Sequence, residues 1–508
     1  MKPATSSARS DLLKILALFA LLAIGFGLRM YDLTDQPIDF HPTRQLRSAI
    51  IARGMYYAML PNADPATRDL ALSFSASTGQ YEPPILEKLV AYTYRLAGNE
   101  YLWIARIYNS IIWLIAGLAL FDLARRMATR AAWGSALVSL AFFLLLPFGV
   151  QASRSFQPDP GMVMWIVLSA NLLYRWSEQQ TWRRALLFGL FAGLAVLTKA
   201  VALYIVVGAA IAVVIYTLGI RGLWRKPQVY AMAALTIAPA GLYYLTRGGR
   251  ASEFFSSWTV ALSHLLLEPA TYARWLSLLA DIMGLAALLT GLVGVLIAQP
   301  RARALLLGLW AGYIIYGLFL PYQMYTHNYY HLGLIPIIAL SLVPVVELVL
   351  DRLQQQSKIW QFGIVAVVMV GLLYAAVVSV AEQRKEDHRN EPAYWQEIAS
   401  YLPAEGKIMA LTQDYGYRLM YYGWRKVTLW PNRGELAVSA LRGSDKEFSE
   451  YFAKRSEDKS FFLITAFNQF EDQPDLQQHL EENYPLLAEG VGYRIYDLEH
   501  PLPSIPPG

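Results

Sequence analysis

The chain has 508 residues, of which 56% are hydrophobic and 16% charged, and it contains no cysteine. Soluble domains carry about a quarter charged residues, so a single soluble globule is excluded, as are a disordered chain and a disulfide-stapled scaffold. Residues 1–381 hold 29 Lys/Arg and 17 Asp/Glu, a net of +12, whereas residues 382–508 hold 14 and 21, a net of −7. A long apolar basic part therefore precedes a short part of ordinary polarity. The missing thiols also exclude thiolate zinc sites and thiol catalysis.

A bilayer core takes roughly 20 apolar residues per helical span. About eleven such stretches occur, at 12–28, 101–123, 133–150, 161–176, 184–198, 200–220, 229–246, 276–298, 304–321, 332–350 and 360–381. A short basic stretch precedes the first, but no clear small-residue cleavage site follows, so it reads as an uncleaved anchor. Lys199 interrupts one apolar run and marks a tight outer turn.

Basic loops identify the cytoplasmic side. Lys2, Arg9 and Lys14 precede the first span; alternate connections carry Arg125, Arg126 and Arg130, then Arg175, Arg183 and Arg184, then Arg221, Arg225 and Lys226, then Arg301 and Arg303, then Arg352 and Lys358. All share one side when the N-terminus is inside, and an odd number of spans puts residues 382–508 outside. The expectation is a mainly α, multi-pass protein of the cytoplasmic (inner) membrane. Residues 1–381 would form its membrane domain and residues 382–508 a small extracytoplasmic (periplasmic) α/β domain.

The first outer loop, about 30–100, departs from the charge rule with Arg44, Arg47, Arg53, Arg68, Lys88 and Arg95. Its runs LRSAIIARGMYYAML (46–60) and PPILEKLVAYTYRLAG (83–98) have helical apolar spacing, the second opened by a Pro pair and closed by Gly. They read either as amphipathic helices along the outer interface or as packing helices with snorkelling Arg. In the tail, KIMALT (407–412), KVTLW (426–430), FFLITAF (461–467) and YRIYDL (493–498) read as strands. EPAYWQEIASYL (391–402) and LQQHLEENYPLL (476–487) read as helices, and the chain ends in the Pro-rich PLPSIPPG.

Ionisable groups beside membrane spans are costly and therefore point to function. On the outer side stand Asp39 in PIDFHPTRQ, Tyr81 and Glu82 in QYEPP, Arg154 and Asp159 in ASRSFQPDPG, Lys199 closing GLAVLTKA, and HNYYH with His327, Tyr329, Tyr330 and His331. Asp281 lies near the outer end of the eighth span. Each also has a structural reading. Asp159 suits a turn between prolines, Glu82 a helix start, Lys199 a snorkelling helix end, and Asp281 an interhelical polar contact. The histidines, spaced i, i+4, fit a metal or an interfacial aromatic belt. Together, an acid serves as general base, cations such as Lys199, Arg44 and Arg47 hold a lipid-tethered phosphate, and electrostatics stabilise that phosphate as it leaves.

The order of these features resembles the GT-C membrane glycosyltransferases, in particular the glycosyltransferase family 39-like branch of protein O-mannosyltransferases, aminoarabinose transferases and bacterial RgtA/B/C/D-like enzymes. The matching stretches run through about residues 12–350. They are Asp39 with RSAIIAR, YEPPILEKLVAYTYRLAG, IARIYNSIIWLIAGLALFDLARR, ASRSFQPDPGMVM, LLFGLFAGLAVLTK and HNYYHLGLIPIIAL. The resemblance implies a polyprenyl-phosphate sugar donor, an extracytoplasmic acceptor (protein, lipid or glycan) and inversion at the anomeric carbon. By position it makes Asp39 the first-loop acid, base or acceptor-orienting, and Asp159 the second acid. It places Lys199 near the donor phosphate and Tyr81, Glu82, His327, Tyr329, Tyr330 and His331 around the substrate. Many relatives have Asp-Glu where this chain has Asp39-Phe40-His41, one carboxylate fewer, so cofactor use stays open, with a divalent metal ion the candidate. The competing class is a polytopic lipid or glycan transporter or flippase, which would show internal repeats and midplane charges.

Overall fold

A computed structural model describes residues 5–79, 81–246, 256–404, 407–441 and 447–503, with side chains from residue 11 onward. Lys2, Arg9, and the last five residues of PLPSIPPG lie outside the described side chains. Contacts divide the chain into one unit of Met1–Leu33, Gln80–Ile85 and Trp103–Glu386, and a second of Thr34–Gly79, Leu86–Leu102 and Asp387–Gly508. The sequence suggests one cut, after 381. The contacts instead group most of the first outer loop with the C-terminal segment.

The first unit is helical and spans a membrane. Among the described residues, seven helices are long and apolar enough to cross, or nine spans if each of two bent pairs counts as one. The eleven expected stretches all lie on helices, but two are not straight spans. The 133–150 run is Ala132–Leu145 plus Pro147–Arg154, bent by 60°; Pro147 lacks the N–H that would continue the ladder. The 276–298 run is Pro269–Met283 plus Leu285–Ile297, bent by 98° at Gly284, whose φ of 81° favours glycine. This break leaves Asp281 exposed near the end of the first piece. Two further stretches fold as Asp159–Glu178, which carries charge at both ends, and Trp182–Thr198, which is only 17 residues long.

Small residues set a close helix crossing. Ala202–Leu223 and Pro300–Phe319 pack along their length, and a Cβ on Gly308 would stand 2.5 Å from the Gly208 carbonyl oxygen, while one on Gly312 would strike that of Tyr204. Glycine there lets the two backbones touch. Buried arginines secure the helix ends. Arg29 donates to the carbonyls of Gly25 (2.7 Å) and Leu144 (3.0 Å) and to the Ser153 hydroxyl (2.7 Å). Arg154 donates to the carbonyls of Tyr31 (2.5 Å) and Asp32 (3.0 Å) and to Gln383. Helix Lys358–Gln383 is almost wholly exposed and apolar, with Ile359 at 77% and Phe362 at 75%, as a span facing lipid should be.

The second unit contains a five-stranded sheet: β1 (Ile408–Leu411), β2 (Thr428–Leu429), β3 (Phe461–Ile464), β4 (Leu486–Gly490) and β5 (Tyr493–Asp497). The order is β2-β1-β3-β5-β4, with β2, β1 and β3 parallel and β5 antiparallel to both neighbours. Leu411, Trp430, Phe452, Phe462, Ile464, Phe470 and Leu480 form its core. The helix read at 476–487 is instead Pro474–Asn483, and the residues after Pro485 form β4; proline disfavours helix in the residue before it. Helix Pro42–Ala58 is buried over most of its surface, Arg47 and Arg53 included, so it is not a surface helix with a solvated basic face. Arg53 lies between the Tyr421 and Trp424 rings (3.7 and 4.4 Å to the centroids), donates to Glu100 at 2.8 Å and to the Tyr421 carbonyl at 2.5 Å, and so spends its charge on structure.

Candidate active site

In the first unit, Asp159 and Lys199, 40 residues apart, form a buried ion pair, Nζ to Oδ1 2.6 Å, with side chains 1% and 7% exposed. Local folding explains the meeting. Asp159 begins helix Asp159–Glu178, a three-residue turn follows, and helix Trp182–Thr198 returns to end at Lys199. The acid thus sits at a positive helix end and the cation at a negative one, each placement favourable to its charge. Pro158 and Pro160 fix the entry to the first helix, and Lys199 caps the second by donating its backbone N–H to Ala195. The second oxygen of Asp159 is buried and accepts no hydrogen bond.

The HNYYH segment supplies the surrounding rings. Tyr329 and Tyr330 lie with their ring centroids 4.9 and 4.7 Å from the Lys199 ammonium, a distance at which the aromatic face attracts a cation. Tyr330 stacks on Tyr316 (6.2 Å, 23°), and Tyr316 on Tyr204 (6.2 Å, 17°). The Tyr316 hydroxyl is buried and has no hydrogen-bond partner among the described residues. Tyr204 and Tyr316 sit on the two helices that cross through glycines. The sequence reading missed Tyr204, Tyr313 and Tyr316; the signal was Tyr313 and Tyr316, three apart in AGYIIYGLF, on one helical face of an otherwise apolar run.

The two histidines part company. His327 is partly buried, its Nδ1 2.7 Å from the Thr326 hydroxyl and its ring edge-on to Tyr329 and Tyr330. His331 is fully buried. Its Nε2 lies 2.9 Å from the Met324 carbonyl, which only accepts, so Nε2 carries the proton; Nδ1 then accepts from the Tyr313 hydroxyl at 2.7 Å. Tyr313 in turn accepts from Trp275 at 3.1 Å. Both His331 nitrogens are therefore committed to holding the segment, which leaves neither for an i, i+4 metal pair. Among the described residues no group of three His, Cys, Asp or Glu could hold a metal ion. Tyr81 is exposed, and Glu82 is partly buried.

Asp39, Arg44 and Arg47 belong to the second unit. His41 has φ 45° at the start of helix Pro42–Ala58, turning the chain sharply after Asp39, and its ring meets Phe40 edge-on at 4.7 Å. Gln45 holds the turn, donating to Asp39 (3.2 Å) and to the Phe40 carbonyl (2.7 Å). Asp39 remains partly exposed. Arg47 is buried, its Nε donating to the Gly79 carbonyl at 2.7 Å.

Against known proteins, the family model for dolichyl-phosphate-mannose-protein mannosyltransferase matches residues 81–244, a segment that includes Asp159 and Lys199. ArnT from Cupriavidus metallidurans, solved bound to undecaprenyl phosphate, aligns over 97% of this chain and 98% of its own at 16% identity, with a TM-score of 0.55. Archaeal oligosaccharyltransferase AglB from Archaeoglobus fulgidus, in complex with an inhibitory peptide and a dolichol-phosphate, aligns over 96% of this chain and 74% of its own at 11% identity and TM-score 0.55. The chain has the GT-C glycosyltransferase fold. Another structure of the Archaeoglobus enzyme, complexed with Zn and sulfate, shares the fold at 12% identity, TM-score 0.52, over 95% of this chain and 73% of its own. No curated protein matches by sequence.

Proposed function

We propose that this GT-C-fold protein is a glycosyltransferase of the cytoplasmic membrane. It takes a sugar from a polyprenyl-phosphate donor and passes it to an extracytoplasmic acceptor, inverting the anomeric carbon. The observation that carries this reading is the buried Asp159–Lys199 pair beneath Tyr329 and Tyr330, set in a fold shared with proteins solved with undecaprenyl phosphate and dolichol-phosphate.

Lys199 supplies the positive charge for the donor phosphate. An ammonium has three protons to donate; one goes to Asp159, which fixes the side chain and keeps it charged in a buried setting. Arg44 and Arg47 are further cations for the phosphate. Tyr81, Glu82, His327, Tyr329 and Tyr330 contact the substrates, and His331 positions the tyrosines. The bond from the anomeric carbon to the phosphate oxygen breaks with its electron pair going to the phosphate. The acceptor heteroatom bonds to the opposite face of that carbon, and its proton passes to Asp39 as general base. Cations placed where the phosphate charge grows lower the barrier. The N-terminus is cytoplasmic and the C-terminal segment extracytoplasmic.

Full-length protein in nanodiscs, supplied with polyprenyl-phosphate sugars, tests this. Asp39→Asn should cut turnover by about 10²–10⁴-fold with donor affinity retained, the range for a lost general base. Lys199→Ala should weaken donor binding by about 10- to 100-fold, as for a lost charged hydrogen bond; unaltered affinity defeats the phosphate role. A wild type that turns over no such donor yet moves lipid-linked sugars across the bilayer would show a flippase.

A further inference from the structure

At the carboxyl ends of the parallel strands, the second unit holds a cavity of about 610 Å³, within the roughly 300–1,000 Å³ of small-molecule sites. It belongs wholly to that unit and includes none of the residues assigned above. Open α/β sheets bind ligands at this edge. Three aromatic residues, Tyr415, Phe448 and Tyr451, line it. Phe448 and Tyr451 are braced edge-on by the core residue Trp430 at 5.9 and 5.2 Å. Its charged and amide lining is mainly acidic: Glu435, Asp472, Asp475 and Gln473, with one cation, Arg455.

The polar groups are held in place. Gln473 accepts from Trp430 Nε1 at 2.8 Å, Glu435 accepts the Asn432 N–H at 3.0 Å, and Arg455 donates to the Leu429 carbonyl at 2.8 Å with its guanidinium 5.1 Å from the Tyr451 ring centroid. Asp472 pairs with Arg433 at 3.0 Å. Tyr415 follows β1 in a left-handed turn: Asp414 and Tyr415 have φ of 51° and 56°. Thr43 and Arg418 hold Asp414 there at 3.0 and 2.6 Å. The turn leaves the Tyr415 ring 49% exposed at the cavity.

We infer that this cavity is a binding site for a saccharide free of acidic groups. Flat rings stack on the C–H faces of a pyranose, and carboxylates and amides accept and donate to its hydroxyls. A sugar phosphate or uronate would meet a lining with an excess of carboxylates, which disfavours it. A purely apolar ligand would displace water from those polar groups and offer no hydrogen bonds in return. On the glycosyltransferase reading the site would grip an acceptor glycan, but binding itself does not depend on that reading.

The test uses the full chain in nanodiscs and saturation-transfer NMR with mannotriose, cellotriose, chitotriose and trigalacturonate. At least one neutral trisaccharide should bind. Tyr415→Ala should weaken it about 10-fold, Tyr415→Phe should keep it, and Asp475→Asn should weaken it about 5-fold, in line with one aromatic contact and one hydrogen bond. Trigalacturonate should bind at least about 10-fold more weakly than the best neutral sugar, as like charge demands. Donor affinity in Tyr415→Ala should equal the wild type, which separates this site from the Lys199 site. Absence of neutral-sugar binding, or wild-type binding by Tyr415→Ala, overturns the assignment.

Discussion

The Asp159–Lys199 pair invites a double-mutant cycle. At 2.6 Å, two unit charges attract by about 6 kcal/mol at an effective dielectric of about 20, and desolvation of both groups offsets much of this. The pair's net worth is therefore small, but the loss of one member is not. Asp159→Asn leaves a buried ammonium without its counter-charge, and Lys199→Met leaves a buried carboxylate of which one oxygen already accepts no hydrogen bond. Each single change should cost about 3–5 kcal/mol. The double variant Asp159→Asn/Lys199→Met removes both charges and should cost clearly less than the two singles combined, a coupling of at least about 2 kcal/mol. Equilibrium unfolding in mixed micelles, read by tryptophan fluorescence, measures all four corners. Additive losses would refute the claim that the two side chains are energetically one unit, and singles costing under about 1 kcal/mol would refute their burial as a pair.

Gly312→Ala puts a methyl group against the Tyr204 carbonyl and should cost about 1–3 kcal/mol by overpacking; crosslinking between cysteines placed on the two helices should slow as they separate, and an unchanged rate would count against the close crossing. Arg53→Met empties the clasp between Tyr421, Trp424 and Glu100 and removes the counter-charge of a carboxylate that is 13% exposed, so about 2–4 kcal/mol should be lost, seen as faster hydrogen exchange in residues 42–58. If exchange there is unchanged, the clasp does not hold the first-loop helix. His479 stands edge-on to Phe452 at 4.4 Å, and desolvation pushes its pKa below the ordinary histidine value. The folded state thus binds that proton less readily than the unfolded chain, so stability is full above about pH 6.5 and falls as pH drops below it. Exchange protection of β1 and β3 should decline between pH 7 and 5, and His479→Gln should flatten that slope; an equal slope in the variant would remove His479 as its source.

Much of the membrane fold was legible because hydrophobicity is a one-dimensional property: an apolar run of sufficient length becomes a helix wherever it later packs. The bends were harder to see, although Pro147 and Gly284 stood in the sequence, because each sits inside an otherwise continuous apolar run and neither residue says by itself whether a helix kinks or stops. Strand β4 went unread because Leu486–Gly490 is largely exposed, lies at a sheet edge and follows a helical pattern. The grouping of residues 34–79 and 86–102 with the C-terminal segment depends on pairs such as Arg53 with Tyr421 and Trp424. Separations of several hundred residues leave no periodicity to find.

The site shows the same division between local and distant information. Asp159 and Lys199 meet because a helical hairpin of known length joins them, so their juxtaposition follows from counting residues along two helices. His331 stood out by residue type alone, yet its chemistry is decided by Tyr313, Trp275 and Met324, which occupy other helices and close off both ring nitrogens. Tyr316 shows the converse: it reads as an ordinary interfacial aromatic, and the crossing at Gly208, Gly308 and Gly312 lays it against Tyr204, while the 328–331 segment adds Tyr330 to the stack. The glycines therefore belong to the site as fully as the charges do. They act by setting how near two helices come, and a helix displaced outward by one methyl group would part Tyr316 from Tyr204 with every polar residue still in place.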